Sequence, residues 1–428
     1  MPDKAPLLTI IVTSYNVEPY IEACLDSITQ QTLTDIEIIV VDDGSTDRSP
    51  DIVSRYAAQD ARIVPIMLPE NTPGGVATAA NAGLNRARGT YIGFADGDDL
   101  YDLTMFEKLV DAIEADAADL AMCRYELLDD ETGVRKMPSE QGSWAGLNEQ
   151  TYVLDDETTK RFLRFIAVPW RKIYRRDMLE ENAIRFPEGD YFFEDNPFHW
   201  FSLISAHSLA VVPEVLCWHR VGREGQTMQV ADERLFRIFR HHDTIHAWLK
   251  ARNIEADYRP ALLAWALSQT EWISAKTPKS ARRQLFDVLN QTLRPYREAD
   301  YTRSFAESGR GELGRKLATA VRRGNFRNFN RLLDNQPRKP SLIRAGVTSL
   351  RTSGVRQTAL LTMRYLRSRG FGRTPAFPVD QLAPRPSSGI RKPTNEDIAV
   401  ALIVLDRRIK RLEAELRRSA GNSGRGEE

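Results

Sequence analysis

Two clusters of aspartates, about fifty residues apart, each follow a run of apolar residues. The first occupies residues 42–43 after the apolar run 38–41, and the second, Asp-Gly-Asp-Asp, occupies 96–99 after the run 91–95. Carboxylates are costly beside a buried strand unless a counter-charge pairs with them. In an open α/β sheet, ligands bind in the crevice outside the carboxyl ends of the strands. The clusters therefore predict one crevice that holds a cation together with an anionic group.

The residues before and between these clusters alternate between strand and helix patterns, which predicts a mostly parallel sheet with helices on its faces. The predicted strands are Leu7–Thr13, Asp35–Val41, Arg62–Met67, Thr90–Ala95 and Leu120–Tyr125. The predicted helices are Val17–Gln31, Asp47–Gln59, Thr78–Ala87 and Thr104–Asp116.

The second part of the chain is less regular and then becomes helical. A loop or irregular hairpin is expected over Asp129–Asn148, an extended segment over Val168–Arg176 and a strand pair or hairpin over Leu209–His219, with helices at Glu157–Ile166 and Asn196–Ala206. Beyond Asp232 the pattern predicts helices alone, at Glu233–Asn253, Tyr258–Ala275, Ser280–Pro295, Glu312–Asp334 and Leu342–Arg369.

The C-terminal residues combine a linker with a heptad pattern. A proline-rich stretch over 374–393 predicts a flexible linker. The apolar residues that follow repeat with heptad spacing: Ile398, Leu402, Leu405, Ile409, Leu412 and Leu416. This pattern predicts either a homodimer through 398–416 or one amphipathic helix docked on its own domain. The predicted divisions of the chain are 1–128, 129–230, 231–300, 301–373, 374–393, 394–418 and a tail at 419–428.

Composition limits the class of protein. The chain has 428 residues and a formal net charge of zero. Residues 1–133 carry 25 acids and 8 bases, whereas residues 310–373 carry 2 acids and 16 bases, so two surfaces of opposite charge are expected. The apolar runs are shorter than the ~18 residues that a membrane span needs. Three widely spaced cysteines and a start without a signal-peptide pattern favour a cytoplasmic location.

Three motifs together resemble the family 2 glycosyltransferases with the GT-A fold. They are Leu-Thr-Ile-Ile-Val-Thr-Ser-Tyr-Asn at 8–16, Val-Val-Asp-Asp-Gly-Ser-Thr-Asp at 40–47 and Ala-Asp-Gly-Asp-Asp at 95–99. The resemblance is close over 7–125 and weaker to about 228. It implies an α/β fold with a GT-A-like, Rossmann-type, mostly parallel sheet flanked by helices and followed by a helical C-terminal region.

The resemblance implies a donor site with a divalent cation. Asp98 would ligate Mn²⁺ or Mg²⁺, which prefer oxygen ligands and stabilise a leaving diphosphate, and Asp96 would contact the ribose or the metal. Asp43 would accept the N–H of the donor base, with Thr13 and Tyr15 lining the same pocket. The alternative is that the second cluster is an acidic turn that caps the helix beginning near residue 104.

One family pattern is incomplete. Family members usually have Ser-x-Ala-Arg-Asn before the second cluster, whereas this chain has Ala-Thr-Ala-Ala-Asn at 77–81. The resemblance assigns Asn81 to the donor site, and the absent arginine removes one expected donor contact. Arg86 or Arg88 could replace it.

The acceptor side requires a base, because displacement at an anomeric carbon needs a group that takes the acceptor proton. Phe193-Glu194-Asp195 resembles the family motif whose aspartate is the proposed base, so Asp195 is the predicted base and Glu194 its support. The alternative is that both residues cap the helix that follows.

Other residues could bind the diphosphate or the acceptor. His219 and Arg220 lie in a cationic segment that could close over the diphosphate, although a single histidine is often structural. Trp170 could stack on a sugar or belong to the core.

Arginines alternate with apolar residues over 312–373, which indicates either an anionic membrane surface as partner or a helical bundle with a solvated basic face. The membrane alternative would place the protein peripherally on the inner face of the plasma membrane. Because no nucleic-acid module accompanies these charges, nucleic acid is not expected as a partner.

The function indicated is an inverting, metal-dependent glycosyltransferase. It would move a sugar from a nucleotide-diphosphate sugar, by resemblance a UDP-sugar, to a glycan or lipid-linked acceptor hydroxyl in surface polysaccharide synthesis. The first alternative is a non-catalytic nucleotide-binding or membrane scaffold protein. A nucleotidyltransferase would need a glycine-rich basic loop after the first strand, and residues 14–17, Ser-Tyr-Asn-Val, do not form one.

Overall fold

The computed structural model describes residues 5–189, 192–223, 233–308 and 312–335. In this part of the chain ten strands form one sheet: β1 Leu8–Ser14, β2 Ile36–Asp42, β3 Ile63–Met67, β4 Tyr91–Asp96, β5 Leu100–Tyr101, β6 Leu120–Asp129, β7 Arg135–Lys136, β8 Gln150–Val153, β9 Lys172–Arg175 and β10 Ser208–Val221.

Helices connect the strands of the sheet, and further helices follow the last strand. The helices between strands are α1 Ile21–Thr29, α2 Ser49–Gln59, α3 Ala77–Arg86, α4 Met105–Asp116, α5 Asp156–Phe162, α6 Arg176–Glu181 and α7 Asp195–Ser205. The helices after β10 are α8 Ile238–Ala251, α9 Glu255–Lys276, α10 Arg282–Leu293, α11 Glu298–Ser308, α12 Glu312–Arg322 and α13 Phe326–Asp334. The helical C-terminal region expected from the sequence is therefore confirmed over 233–308 and 312–334.

The strand order is β3-β2-β1-β4-β9-β6-β10-β5, with β7 beside β6 and β8 beside β10. The longer pairings, which join β1 to β2 and β4, β2 to β3, and β6 to β10, are parallel. The short strands β5, β7, β8 and β9 pair antiparallel. This confirms the expected α/β architecture with a mostly parallel sheet.

Both faces of the central strands are buried, which explains their continuous apolar sequences. Side chains alternate between the faces of a strand. Ile10 and Val12 of β1 pack in one core with α1, α2 and α4. Ile11 packs on the opposite face, in a core that also contains α3 and α7. The helices α8–α13 join this second core, so they extend the same packed unit, which covers residues 1–334.

Two sequence predictions were wrong. Residues 209–219 do not form a strand pair, because β10 runs through them as one strand beside β6, with register shifts around Pro213. Proline lacks the N–H that a ladder needs and here marks a bulge rather than a turn. The single helix expected over 312–334 is two helices, α12 and α13, because the chain turns at Gly324, whose φ of +61° favours glycine.

Other predictions lie outside the described residues. These are the helix at 342–369, the linker at 374–393, the heptad helix at 394–418 and the tail at 419–428. Within the described ranges, none of the helices is both long enough and apolar enough to cross a membrane.

Candidate active site

The two acidic clusters meet at one edge of the sheet, as the sequence predicted. The parallel register pairs Ser14 with Asp42 on one side of β1 and Thr13 with Asp96 on the other. Because β1 lies between β2 and β4, the loops after all three strands lie at the same edge of the sheet. Glycine at 97 keeps the chain close to β1, since a Cβ there would lie 2.9 Å from the carbonyl oxygen of Thr13.

The two aspartates of the first cluster have different roles: one stabilises a turn, and the other is a buried carboxylate. Asp42 accepts hydrogen bonds from the backbone N–H and the hydroxyl of Ser45, at 2.9 and 2.6 Å, so it stabilises the turn. Asp43 is buried and accepts from the side chains of Asn71 and Thr72 and from the N–H of Thr72. Burial raises the pKa of Asp43, and the Thr72 donors oppose this. The side chain of Tyr15, which follows β1, is 43% exposed.

The second cluster is a set of three carboxylates held close together. Burial and the charges of Asp99 and Asp98 raise the pKa of Asp96 to about 8. Burial also raises the pKa of Asp99. The backbone N–H of Asp96 donates to the hydroxyl of Tyr101, at 2.8 Å, and the Thr13 hydroxyl lies 3.5 Å from Asp96 Oδ1. The cluster is therefore a strong site for positive charge.

Three basic residues at or just beyond the end of β10 contact this cluster. His219 Nδ1 lies 2.9 Å from Oδ2 of Asp99. Arg220 donates through its backbone N–H to Asp99, at 2.8 Å, and through Nε to the carbonyl of Asp98. Arg223 forms an ion pair with the carboxylate of Asp98. Burial lowers the pKa of His219, but the neighbouring carboxylates, Asp99 first, outweigh this and raise the pKa to about 9.

A divalent cation fits this group of residues. One ligand atom each from Asp96, Asp99 and His219 lies within 4.8 Å of the others, and carboxylate ligands suit Mn²⁺ and Mg²⁺. Asp98, the ligand that the resemblance implies, borders the same cluster and pairs with Arg223. Its role as a metal ligand remains a prediction.

Trp170 supports this site from the core rather than lining it. Its side chain is 3% exposed, and its ring stacks on that of His219 with centroids 5.1 Å apart. Tyr125 contacts it edge-on at 4.7 Å. A direct contact between Trp170 and a sugar is therefore not supported, because burial leaves almost none of the ring accessible.

The predicted base lies at the start of α7. Among the described residues, Asp195 Oδ1 is buried and has no hydrogen-bond partner. Burial raises the pKa of Asp195 well above its ordinary value, and the charges of Glu194 and Asp96 add to this, whereas Lys172 and His219 act in the opposite direction. The electrostatic influence of Asp96 and His219 indicates that Asp195 shares the environment of the acidic cluster.

Glu194 has a different position from Asp195. Its side chain is 3% exposed, and Oε1 accepts the backbone N–H of Ala77, the first residue of α3, at 3.0 Å. Burial raises the pKa of Glu194, while the surrounding backbone N–H groups oppose the rise. The N-terminus of a helix favours a negative charge, which explains why this carboxylate tolerates burial.

The side chain of Asn81 forms hydrogen bonds within the protein. Its Nδ2 donates to the carbonyl of Phe186 and to Glu188, both at 2.8 Å, and its Oδ1 accepts the N–H of Phe186 at 3.0 Å. These bonds hold the loop that leads towards Asp195. A contact between Asn81 and the donor remains a prediction.

The sequence analysis did not single out two buried basic residues, Lys172 and His199, although the charge of Lys172 acts to lower the pKa of Asp195. Lys172 is buried, and its Nζ lies 2.7 Å from the carbonyl of Val168 and 3.3 Å from His199 Nδ1. Burial lowers the pKa of Lys172 and of His199. The signal was present in the Trp-Arg-Lys run at 170–172, since a lysine inside an apolar strand pattern requires a partner.

The C-terminal helices also hold the segment that carries the base. Trp265 of α9 donates through Nε1 to the side-chain oxygen of Asn196, at 3.0 Å. His241 of α8 lies 2.8 Å from the carbonyl of Phe192, and Trp272 contacts Phe193 edge-on at 5.6 Å. Phe193 has a φ of +73°, which is strained for a residue with a side chain. Packing from α8 and α9 therefore stabilises an unfavourable backbone conformation directly before Glu194 and Asp195.

Comparison with known proteins gives one consistent family. The family model of glycosyl transferase family 2 matches residues 9–182. The uncharacterized glycosyltransferase EpsJ of Bacillus subtilis is 39% identical over 222 residues, which are 50% of this chain and 61% of EpsJ. The putative glycosyltransferase EpsH of the same organism is 31% identical over 301 residues, 67% of this chain and 82% of EpsH.

A crystal structure of TarS residues 1–349 from S. aureus has the same fold. The TM-score is 0.64 at 23% identity, and the match covers 76% of this chain and 90% of that chain. At this identity the likeness supports the fold alone. The N-terminal sheet and the helices after it therefore form an architecture that this crystal structure shares.

Proposed function

The chain belongs to glycosyl transferase family 2, and from this premise we propose that it transfers a sugar, with inversion at the anomeric carbon, from a UDP-sugar to a hydroxyl of a glycan or lipid-linked acceptor. One observation carries the proposal. Asp195 Oδ1 is buried without a hydrogen-bond partner among the described residues, and the carboxyl shares its electrostatic environment with Asp96 and His219. A carboxylate in that position can act as the base for an acceptor hydroxyl.

The pocket beside Asp43 is the proposed site of the donor base. Its carboxylate is fixed by Asn71 and Thr72 and would accept the N–H of a uracil ring. In this proposal Thr13 and the exposed Tyr15 would line the same pocket. The TarS structures contain UDP-GlcNAc and UDP, which supports the choice of uridine for the first experiments.

The acidic cluster is the proposed site of Mn²⁺ or Mg²⁺. Asp96, Asp98, Asp99 and His219 are the residues that would hold the cation. When bound, such a cation supplies positive charge that stabilises the leaving diphosphate. Arg223 pairs with the Asp98 carboxylate, so a cation held by Asp98 would compete with this guanidinium, which would then be available to the diphosphate.

The transfer itself moves one proton and one glycosyl group. Asp195 takes the proton of the acceptor hydroxyl as that oxygen forms a bond to the anomeric carbon. The bond between the anomeric carbon and the diphosphate oxygen breaks on the opposite face, and its electrons leave with the UDP. Attack opposite the leaving group inverts the configuration. The proton remains on Asp195 until it passes to solvent.

The setting we propose is surface polysaccharide synthesis at the inner face of a bacterial plasma membrane. The basic residues of α12 and α13 support this setting. The apolar side of these helices, including Leu317, Val321 and Phe329, is buried in the protein core. Any membrane contact by α12 and α13 would therefore be electrostatic rather than insertion of an apolar face. Homodimerisation through 398–416 and the subdivisions at 128, 230 and 300 remain part of the proposal.

Nucleotide titration tests the donor site. UDP, GDP, CDP and dTDP are titrated calorimetrically into the full chain with and without Mn²⁺, beside the variants Asp98→Asn and Asp43→Asn. We expect Mn²⁺-dependent binding of UDP that is at least tenfold weaker in both variants. If none of the four nucleotides binds the folded wild-type protein, the transferase assignment fails and a scaffold role takes its place.

A further inference from the structure

The N-terminal turn of α3 encloses the carboxylate of Glu194. Oε1 accepts the N–H of Ala77 at 3.0 Å, and Gly75, in the Pro-Gly-Gly-Val segment at 73–76, lies against the same carboxylate. The two partners are 117 residues apart in the sequence. This contact therefore joins the loop before α3 to the segment that presents Asp195.

Gly75 makes the contact possible. A Cβ at Gly75 would lie 2.8 Å from Oε2 of Glu194 and closer still to Oε1. Carbon and carboxylate oxygen do not approach so closely, so a side chain at 75 requires the Glu194 carboxylate or the loop at 73–76 to shift. The backbone of Gly75 is not among the glycines with positive φ, which are Gly44, Gly74, Gly133, Gly146, Gly189, Gly222 and Gly324. Alanine is thus acceptable to the backbone at 75, and the three heavy atoms nearest to its methyl group would all belong to the Glu194 side chain.

We propose that Gly75 is a positioning residue for the transfer reaction: the absence of a side chain lets the first turn of α3 close on the Glu194 carboxylate, and this closure fixes the backbone that presents Asp195. The inference rests on the proposed role of Asp195 as the base. It adds the loop at 73–76, which has no titratable side chain, to the residues that determine the rate.

The geometry explains why a side chain at position 75 should alter the position of Asp195. Glu194 immediately precedes Asp195, which is the first residue of α7. Phe193, which precedes Glu194, already has an unfavourable φ of +73°. When a buried carboxylate loses its N–H donor, the side chain moves or the backbone shifts to find another partner. A displacement of about 1 Å at a catalytic group can reduce a rate about 100-fold.

The affinity of the donor site for UDP should not change in Gly75→Ala. Asp43 is held by Asn71 and Thr72, and its side-chain hydrogen bonds in the described part of the chain involve neither Gly75 nor Glu194. A positioning role for Gly75 therefore predicts a lower kcat with an unchanged affinity for UDP. A role in donor binding would instead weaken UDP and raise KM.

The test compares Gly75→Ala with two control variants in the full-length protein. Gly142→Ala places a methyl group where the described residues leave 4 Å of open space. Gly314→Ala places a Cβ against Oε1 of Glu271, which reproduces the type of clash on α12. The measurements are kcat for UDP release from UDP-GlcNAc and UDP-glucose, the Kd of UDP with Mn²⁺, and hydrogen exchange of peptides covering 73–80 and 192–198.

We expect Gly75→Ala to lower kcat by about 10- to 100-fold, to leave the Kd of UDP within twofold and to accelerate exchange in both peptides. The two controls should keep the wild-type kcat. Glu194→Asp shortens the side chain and makes room for the methyl group, so the effects of Gly75→Ala and Glu194→Asp should be less than multiplicative in the double variant.

Parallel measurement of Asp195→Asn distinguishes a failure of the proposed function from a failure of the positioning role of Gly75. If Asp195→Asn keeps the wild-type kcat, or if the wild-type protein releases no UDP, the proposed function fails, and the inference fails with it. If Asp195→Asn abolishes UDP release while Gly75→Ala keeps kcat within twofold and exchange unchanged, the proposed function stands and the positioning role of Gly75 is overturned. Strictly multiplicative effects with Glu194→Asp would also overturn it.

Discussion

His219 Nδ1 lies 2.9 Å from Oδ2 of Asp99, and the same imidazole stacks on Trp170. The ion pair joins the end of β10 to the acidic cluster after β4 across 120 residues of sequence. It holds a positive charge where the proposed cation would lie. The electrostatics of the metal-free site therefore depend on protonation of His219.

Metal-free protein should lose stability as the pH rises from 6.5 to 9. His219 keeps its proton in the folded state up to a pKa of about 9, whereas unfolded histidine loses it near 6.5. The native state therefore binds more protons across this interval, so its free energy of unfolding falls as the pH rises. Asp96, with its pKa raised to about 8, acts in the same direction. The loss from His219 is at most about 3 kcal/mol, measurable by urea unfolding in EDTA.

The matched variant for this measurement is His219→Gln combined with Asp99→Asn, which keeps a hydrogen-bonding pair without charges. Its stability should change less than that of the wild type between pH 6.5 and 9. His207→Gln serves as the control, because the side chain of His207 is 95% exposed. Equal losses in the wild type and the double variant would contradict a protonated His219.

Arg223→Gln should strengthen binding of Mn²⁺ in the absence of nucleotide. The guanidinium of Arg223 pairs with Asp98, and its removal frees a carboxylate and leaves the cluster more negative. We expect a three- to tenfold lower Kd for Mn²⁺, together with weaker UDP binding once Mn²⁺ is present. Calorimetric titration measures both. Arg185→Gln, which removes a pair with Glu180, is the control, and an unchanged Kd in Arg223→Gln would argue against Asp98 as a ligand.

The pH dependence of the rate should report on Asp195. A base must be deprotonated, and burial raises the pKa of Asp195 well above its ordinary value, so kcat should fall as the pH is lowered through that raised pKa. Glu194→Gln removes a negative charge that contributes to the shift, and the acid limb should move to lower pH. Asp195→Asn should lower kcat about 100- to 10,000-fold without weakening UDP.

A pH–rate profile of UDP release for the wild type and Glu194→Gln gives the measurement. A parallel profile for Glu157→Gln provides a control, since Glu157 is an exposed glutamate on α5. Coincident acid limbs in the wild type and Glu194→Gln would show that the titrating group does not sense Glu194.

The strands and helices of the N-terminal sheet were predictable from sequence because their signals are local. Apolar runs such as 38–41 and 91–95 must be buried on both faces, and the carboxylates after them mark the strand ends. The strand pair predicted over 209–219 was wrong because a local turn signal competed with strand pairing. Pro213 resembles a turn, but β6 pairs with β10 on both sides of it, so tertiary pairing determined the outcome.

The site was predictable as a set of residues but not as a set of contacts. Asp96, Asp98, Asp43 and Asp195 carry motif signals. The bond between Glu194 and Ala77 carries none, because its partners are far apart in sequence and one of them is a backbone N–H. The supporting contact from Trp265 to Asn196 is equally invisible, since a tryptophan in a helix predicts burial and not a particular acceptor.

Trp265→Phe should slow the reaction although Trp265 lies on α9, beyond the sheet. The substitution keeps an aromatic ring and removes the Nε1–H that Asn196 Oδ1 accepts at 3.0 Å. Asn196 follows Asp195 directly and also donates through its side chain to the carbonyl of Phe193, at 2.9 Å. Loss of the indole donor therefore loosens the segment on both sides of the base. We expect kcat for UDP release to fall three- to tenfold, with the Kd of UDP unchanged and a stability loss of about 1 kcal/mol.

Trp248→Phe is the control for this effect. Trp248 lies on α8 and stacks on Phe201 of α7, with ring centroids 4.6 Å apart, so the variant also disturbs the junction between the C-terminal helices and α7. Its contact is at the middle of α7, away from Asp195, and its kcat should stay within twofold of the wild type. If both variants reduce kcat equally, the helices act through general stability. If only Trp265→Phe does so, α9 positions the base through Asn196.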